Sequence, residues 1–344
     1  MSYYDALNYI AQKTSVIELY DQWGGRVAVC PEWNGRILTS TCDGLKGNSF
    51  GYINVQAIEE NKPEEIGGED QWTVSPLVYS FAVESIREKK IVLQRTRLMN
   101  DTLGKLVEMH FLRTITLLNQ QNLGDWFGST VADALELEDV SAVGYSTENL
   151  VRTQEKAHIA SRQRGMYNAH PFSFVIISTP QTLWEEEPFP VEINYLGGTP
   201  HGRTRRLPQA LLLRADGYGQ CQAAMPYSTA PPILGAVEFG LGALTLWTFD
   251  MPKNSDSEDD LIRIYNSGRT YTGKSDFRKS GWETYYELNC FSAAKKIQPA
   301  ETLYYCQHTL HVVADNKTLD GIVQEIFDVS LENFPKNARR SLFL

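Results

Sequence analysis

The sequence predicts an all-β protein, and three observations carry that expectation. Short runs rich in β-branched and aromatic residues are separated by Gly, Pro, Asn and Asp turns. A period of two persists from Leu106 to Leu118, where Val107, Met109, Phe111, Ile115 and Leu117 share a face interrupted only by Arg113. Helical spacing is confined to the two ends of the chain.

In chain order, the first element is a short amphipathic helix over about residues 1–12, with Tyr3, Leu7 and Ile10 on one side. Strand-like text begins at Val16–Tyr20 and resumes at Arg26–Cys30 and Gly35–Leu38, with a turn at Gly24-Gly25 between the first two. Further strands are expected at Lys90–Leu98, Phe172–Ile177, Ala210–Arg214, Gly242–Phe249, Glu283–Phe291 and Leu303–Val313. Near the end Leu319, Ile322, Val323, Ile326, Phe327 and Leu331 recur at helical spacing, which predicts a C-terminal helix over about residues 317–331. No repeat, low-complexity linker or composition break divides the 344 residues, so one large domain over 1–344 is expected.

Composition narrows the function classes. A hydrophobic share of 42% and a mean hydropathy of -0.32 suit a chain with a sizeable core. The formal charge of -10 argues against a phosphate-backbone partner. No apolar run approaches the roughly 20 residues of a membrane span, so no membrane partner is expected. The start lacks a basic segment followed by an apolar one, which points to the cytoplasm, or to the periplasm if a leader has been removed. Five cysteines without a CxxC pair read as reduced, buried side chains rather than a zinc or disulfide framework.

Polar residues that suit chemistry are concentrated in a few places. In Gly67–Pro76, glycines permit close approach, Glu69 and Asp70 accept hydroxyl donors, and Trp72 offers a flat face for a sugar ring. Glu283 and Glu287 share one face of a strand about 13 Å apart, too far for a close carboxylate pair. His308 and His311 point to opposite faces of a strand and make a poor metal pair. His170 precedes Pro171 at a strand start, and His110 lies on the more polar face of its strand. The acidic run Asn254–Asp260 lacks the pattern of a calcium loop and reads as solvated. Arg203, Arg205 and Arg206 also read as a solvated loop, with contact to a phosphorylated sugar as the functional alternative. No P-loop, nucleophile elbow or dinucleotide fingerprint is visible.

Several motifs taken together resemble the aldose 1-epimerase, or galactose mutarotase-like, superfamily, and most nearly a bacterial branch of it without assigned function. They are Gly25–Val29 with Pro31, Gly35–Ser40, Ser49–Asn54, Gly67–Pro76, Arg113–Leu118, Ala142–Asn149, Gly242–Pro252 and Tyr286–Val312. The resemblance implies a β-supersandwich of two large, mainly antiparallel sheets with a carbohydrate-binding face. It implies Glu287, followed by the turn Gln298-Pro299-Ala300-Glu301, as the base on an anomeric hydroxyl. It offers His170, in Tyr167–Phe172, as the acid on the ring oxygen, with His110 as a spare. Arg36, Glu69, Asp70, Trp72, His110 and Glu283 are then the expected ligand contacts. Mutarotation needs no cofactor and no metal. A sugar-binding protein without turnover, and a lyase or hydrolase on the same fold, remain as alternatives. The sequence leaves a homodimer open.

Overall fold

Alternation along the strands sets the architecture. In Leu106–Leu117 every second side chain is buried along most of the strand, as a two-residue repeat requires when one face meets a core. The computed structural model describes residues 1–73, 79–179, 191–196, 203–217, 220–226, 231–250, 261–267 and 284–335. Glu283 and the acidic run 254–260 lie outside the described residues, and so does the side chain of Trp72.

The described strands, numbered in chain order, form two antiparallel sheets. The front sheet runs β1 (Ile17–Tyr20), β2 (Arg26–Cys30), β3 (Arg36–Thr41), β4 (Gly68–Thr73), β9 (Ala157–Asn168), β18 (Tyr285–Ile297), β17 (Leu261–Ser267), β14 (Gln220–Pro226) and β11 (Glu192–Leu196). The back sheet runs β12 (Thr204–Leu207), β13 (Ala210–Arg214), β10 (Ser173–Ser178), β15 (Ile233–Glu238), β16 (Ala243–Phe249), β19 (Thr302–Val313), β8 (Ser141–Thr153), β7 (Leu106–Leu117), β6 (Lys90–Asn100) and β5 (Ala82–Arg87). The fold is the all-β supersandwich that the sequence leads one to expect.

Two apolar clusters fill the space between the sheets. One joins Val27, Val29 and Ile37 of the front sheet to Leu93, Met109, Ile115 and Val143 of the back sheet. The other joins Cys221, Met225, Tyr286 and Leu288 to Val175, Leu213, Ala236 and Trp247. The outer face of the back sheet is covered by α3 (Gln120–Phe127), α4 (Ser129–Ala134) and α5 (Asn316–Phe327). At the β2–β3 end of the front sheet, α1 (Tyr3–Ala11) and α2 (Val55–Glu59) cover Cys30 and Leu38.

Both terminal helices have capping reasons for their bounds. Ser2 accepts from the Asp5 N–H at the start of α1, and Asp315 accepts from the Thr318 N–H at the start of α5. The C-terminal helix ends at Phe327, where Asp328 turns left-handed, and Leu331 belongs to a separate 3-10 turn. The sequence expectation of one helix to about residue 331 is therefore too long. Helices α2, α3 and α4 lie inside the chain, where the sequence suggests only strands and turns. The five cysteines are all free and buried. No helix among the described residues is long and apolar enough to cross a membrane.

Candidate functional site

The two faces of the front sheet carry different chemistry, and strand parity decides which residue joins which. Tyr286 and Leu288 of β18 point into the core between the sheets, so Glu287 and Asn289 point away from it. Directly paired residues of antiparallel strands share a face. Asp70, Arg164 and Asn289 therefore form one row across β4, β9 and β18. Trp72, Arg162 and Phe291 are in register in the row beyond.

On this outer face the Arg162 Nη2 donates to Glu287 Oε2 at 3.1 Å and to Asn289 Oδ1 at 2.7 Å. The Asn289 amide closes the triangle by donating to the same Glu287 Oε2 at 3.1 Å. Among the described residues no donor reaches Oε1, and the Glu287 side chain is 10% exposed. The Arg162 guanidinium also lies 4.8 Å from the centre of the Phe291 ring, a cation–π contact that limits its freedom.

Beside this triangle, Arg36 and Arg164 grip Asp70. Arg36 Nη2 donates to Oδ2 at 2.5 Å, while Arg164 donates to Oδ1 at 3.2 Å and to Oδ2 at 3.0 Å. The turn at 63–67 walls this cluster, because Arg36 also donates to the Pro63 and Gly67 carbonyls and Arg164 to that of Glu64. Burial brings the Arg36 guanidinium down to about 10 despite its ion pair. The terminal nitrogens of Arg36 are matched in this way, as a buried charge requires, while its Nε is buried without an acceptor. Gly68, at φ +69, lets β4 enter here: a Cβ would collide with the Ile37 carbonyl. The glycine serves the approach of β4 to β3.

Glu69 belongs elsewhere. The sequence groups it with Asp70, but its carboxylate turns between the sheets. Tyr145 and Tyr167 each donate to Oε1 at 2.5 Å, and Gln307 and Thr309 donate to Oε2 at 2.9 and 3.2 Å. Burial raises its pKa against the effect of these donors. His311 sits in the same interior, bonded to Thr245 at 2.9 Å and stacked on Phe50. His308, on the other face of β19, stacks on Trp126.

His170 lies in the crossing from β9 to β10, where the Ala169 N–H donates to the Thr284 carbonyl just ahead of β18. Its Nε2 is 3.3 Å from Glu238 Oε2, and Tyr286 donates to Glu238 Oε1 at 3.1 Å. Burial pushes the Glu238 carboxyl up to about 8 and holds His170 below its ordinary value. His170 is thus engaged by a residue that bonds the interior-facing Tyr286. His110 stands on the back sheet, on the outer face of β7, bonded to Thr96 at 2.8 Å. The structure therefore brings Glu287, Arg36 and Asp70 to one face, while Glu69 and His110 lie on others. Arg162, Arg164 and Asn289 complete that face and are missed by the sequence reading. The signal for the first two was present: Arg162 and Arg164 stand two apart in Ser161-Arg162-Gln163-Arg164, the spacing of one strand face.

The chain belongs to the family of unknown function DUF6786, which it matches over residues 1–83 and 71–338. Two solved structures are similar in fold. The Slr1438 protein from Synechocystis sp. PCC 6803 is 10% identical, with a TM-score of 0.54 over 88% of this chain and 96% of that one. The GalM/aldose epimerase homologue from C. elegans is also 10% identical, with a TM-score of 0.53 over 88% of this chain and 99% of that one. No curated protein matches the sequence. At this identity the likeness is one of fold.

Proposed function

We propose that the outer face of the front sheet binds a sugar and that Glu287 acts there as the base of an aldose 1-epimerase-like mutarotation. The observation that carries this reading is the Glu287 carboxylate itself. Arg162 and Asn289 fix it through one oxygen, which leaves Oε1 to take a proton. The aldose epimerase homologue of like fold supports the same substrate class.

In the proposed reaction Glu287 takes the proton of the anomeric hydroxyl, and the C1–ring oxygen bond breaks as the C1 carbonyl forms. His170 supplies the proton to the ring oxygen. Rotation about the C1–C2 bond and reversal of both transfers close the other anomer, with no net change in protons. No cofactor or metal enters this scheme. Trp72, Arg164 and Glu283 are proposed as the surrounding contacts, while Arg36 and Asp70, whose side chains have no exposed surface, hold Arg164 in place rather than meet the sugar.

One observation favours a second reading, sugar binding without turnover. The His170 imidazole is occupied by Glu238 on the interior side rather than by Glu287. NMR saturation transfer between the α and β anomers of a panel of aldoses separates the two. Catalysed exchange that Glu287→Gln abolishes supports mutarotation. Contact signals from a sugar without faster exchange favour binding alone, and exchange that survives Glu287→Gln removes Glu287 from the base role.

A further inference from the structure

We propose that the edge of the back sheet carries a second site, for a phosphate group, built from Arg203, Arg205 and Arg214. Strands β12 and β13 pair with Arg205 opposite Leu212, and the Arg214 N–H donates to the Arg203 carbonyl at 2.8 Å. Alternation then sets all three guanidinium side chains on one face. They line a cavity of about 120 Å³ together with Thr204, Phe174 and Leu212, with room for a phosphate group.

The charge is unbalanced in favour of an anion. Among the described residues Asp216 is the carboxylate at this cluster. It pairs with Arg203, and its Oδ2 lies 3.6 Å from Arg214 Nε, beyond hydrogen-bond reach. The Nε atoms of both arginines are buried without an acceptor, and Arg205 makes no ion pair among the described residues. Among the described residues, three guanidinium groups against one carboxylate leave about two positive charges, which a phosphate monoester of about -1.5 to -2 balances and a single carboxylate does not. Arginines placed only to guard an edge strand would be solvated. Here the side chains of Arg203 and Arg214 are only 11% and 27% exposed, and Arg214 lies over the Phe174 ring at 5.6 Å. This face of the back sheet is remote in the fold from Glu287, which is on the far side of the front sheet.

Isothermal titration calorimetry at low ionic strength, with inorganic phosphate and a glycerol phosphate as probes, tests the site. Saturable binding is expected, weakened about tenfold by Arg214→Gln or by Arg205→Gln, and not displaced by equal acetate. Arg205→Gln removes an exposed side chain with no ion pair, so an unchanged melting temperature certifies that variant as folded. Tighter binding of the ester marks a phosphomonoester ligand, and equal binding marks the free ion. Absence of saturable binding by either probe overturns the site, as does affinity unchanged in both variants or displacement by equal acetate. Glu287→Gln is expected to leave phosphate binding intact, so failure of the sugar reading does not touch this one.

Discussion

Tyr286 and Glu287 are neighbours in the chain and belong to different environments, because a strand alternates its faces. Tyr286 bonds Glu238 inside the sandwich, while Glu287 is held by Arg162 and Asn289 on the outer face. Replacing Glu287 with Gln keeps the shape and the contact with Arg162 but removes the proton acceptor. Under the mutarotation reading, anomer exchange should fall by about a hundredfold or more, with the melting temperature unchanged. Glu238 makes a separate prediction. Its folded pKa of about 8 lies above the ordinary 4.5, so the folded state holds a proton that the unfolded state releases between those values. Its contribution to stability is full below about pH 4.5 and is lost as pH rises through 8. The buried His308 and His311, lowered by burial to about 4 and about 3, act the other way and weaken the fold as pH falls below 6.5. Between pH 6.5 and 8 the loss should therefore follow Glu238, and thermal melts of Glu238→Gln should show a flatter pH dependence there than the parent. Equal slopes would remove Glu238 from that role. The same alternation was legible for Glu69 and Asp70, which consecutive numbering alone sends to opposite faces. Their partners were not legible, since Tyr145, Gln307 and Thr309 are distant in sequence.

At the scale of elements, Glu69 acts as a pin between sheets. Its four donors come from β8, β9 and β19, so one carboxylate ties a front strand to two back strands. Glu69→Ala would leave two tyrosine hydroxyls, an amide and a threonine hydroxyl buried around a void. A loss of about 3–5 kcal/mol is expected, read as a lower midpoint in urea denaturation. A loss below about 1 kcal/mol would mean that these donors find other acceptors. A strand was readable by its period of two where one face meets a core, as in β7, whereas β19 is buried on both faces and reads as a continuous run. The helices α3 and α4 were not. In Gln120–Phe127 only Leu123 and Phe127 are buried, and a glycine lies between them. With the exposed Trp126 they make three apolar residues at i, i+3 and i+4, which over eight residues is too short a run to distinguish a short helix from a loop. What holds this helix is local capping by Asn119 together with the outer face of the back sheet.

Across the whole molecule, the order of strands within the sheets could not be read from any local stretch. The chain crosses from β9 in the front sheet to β10 in the back sheet through Ala169–Phe172, and returns only later to place β18 beside β9. Glu287 and Arg162 meet through that return. The amphipathic C-terminal helix, by contrast, was visible in sequence, and its place explains its pattern. Leu319, Ile322, Val323 and Phe327 are buried against the outer face of the back sheet, where Phe327 lies over Gly235. A Cβ at Gly235 would meet the Phe327 ring at 2.7 Å, so the missing side chain of one strand makes the seat for the helix. Phe327→Ala should open a cavity at this seat and cost about 3–5 kcal/mol, measured as a lower urea midpoint. The back sheet and the inter-sheet core separate this helix from Glu287. Sugar contact and any anomer exchange per folded molecule should therefore be unchanged in the variant under conditions where it remains folded. Loss of both in a folded Phe327→Ala protein would mean that the helix holds the front sheet in shape through the back one, and that the two layers do not act independently.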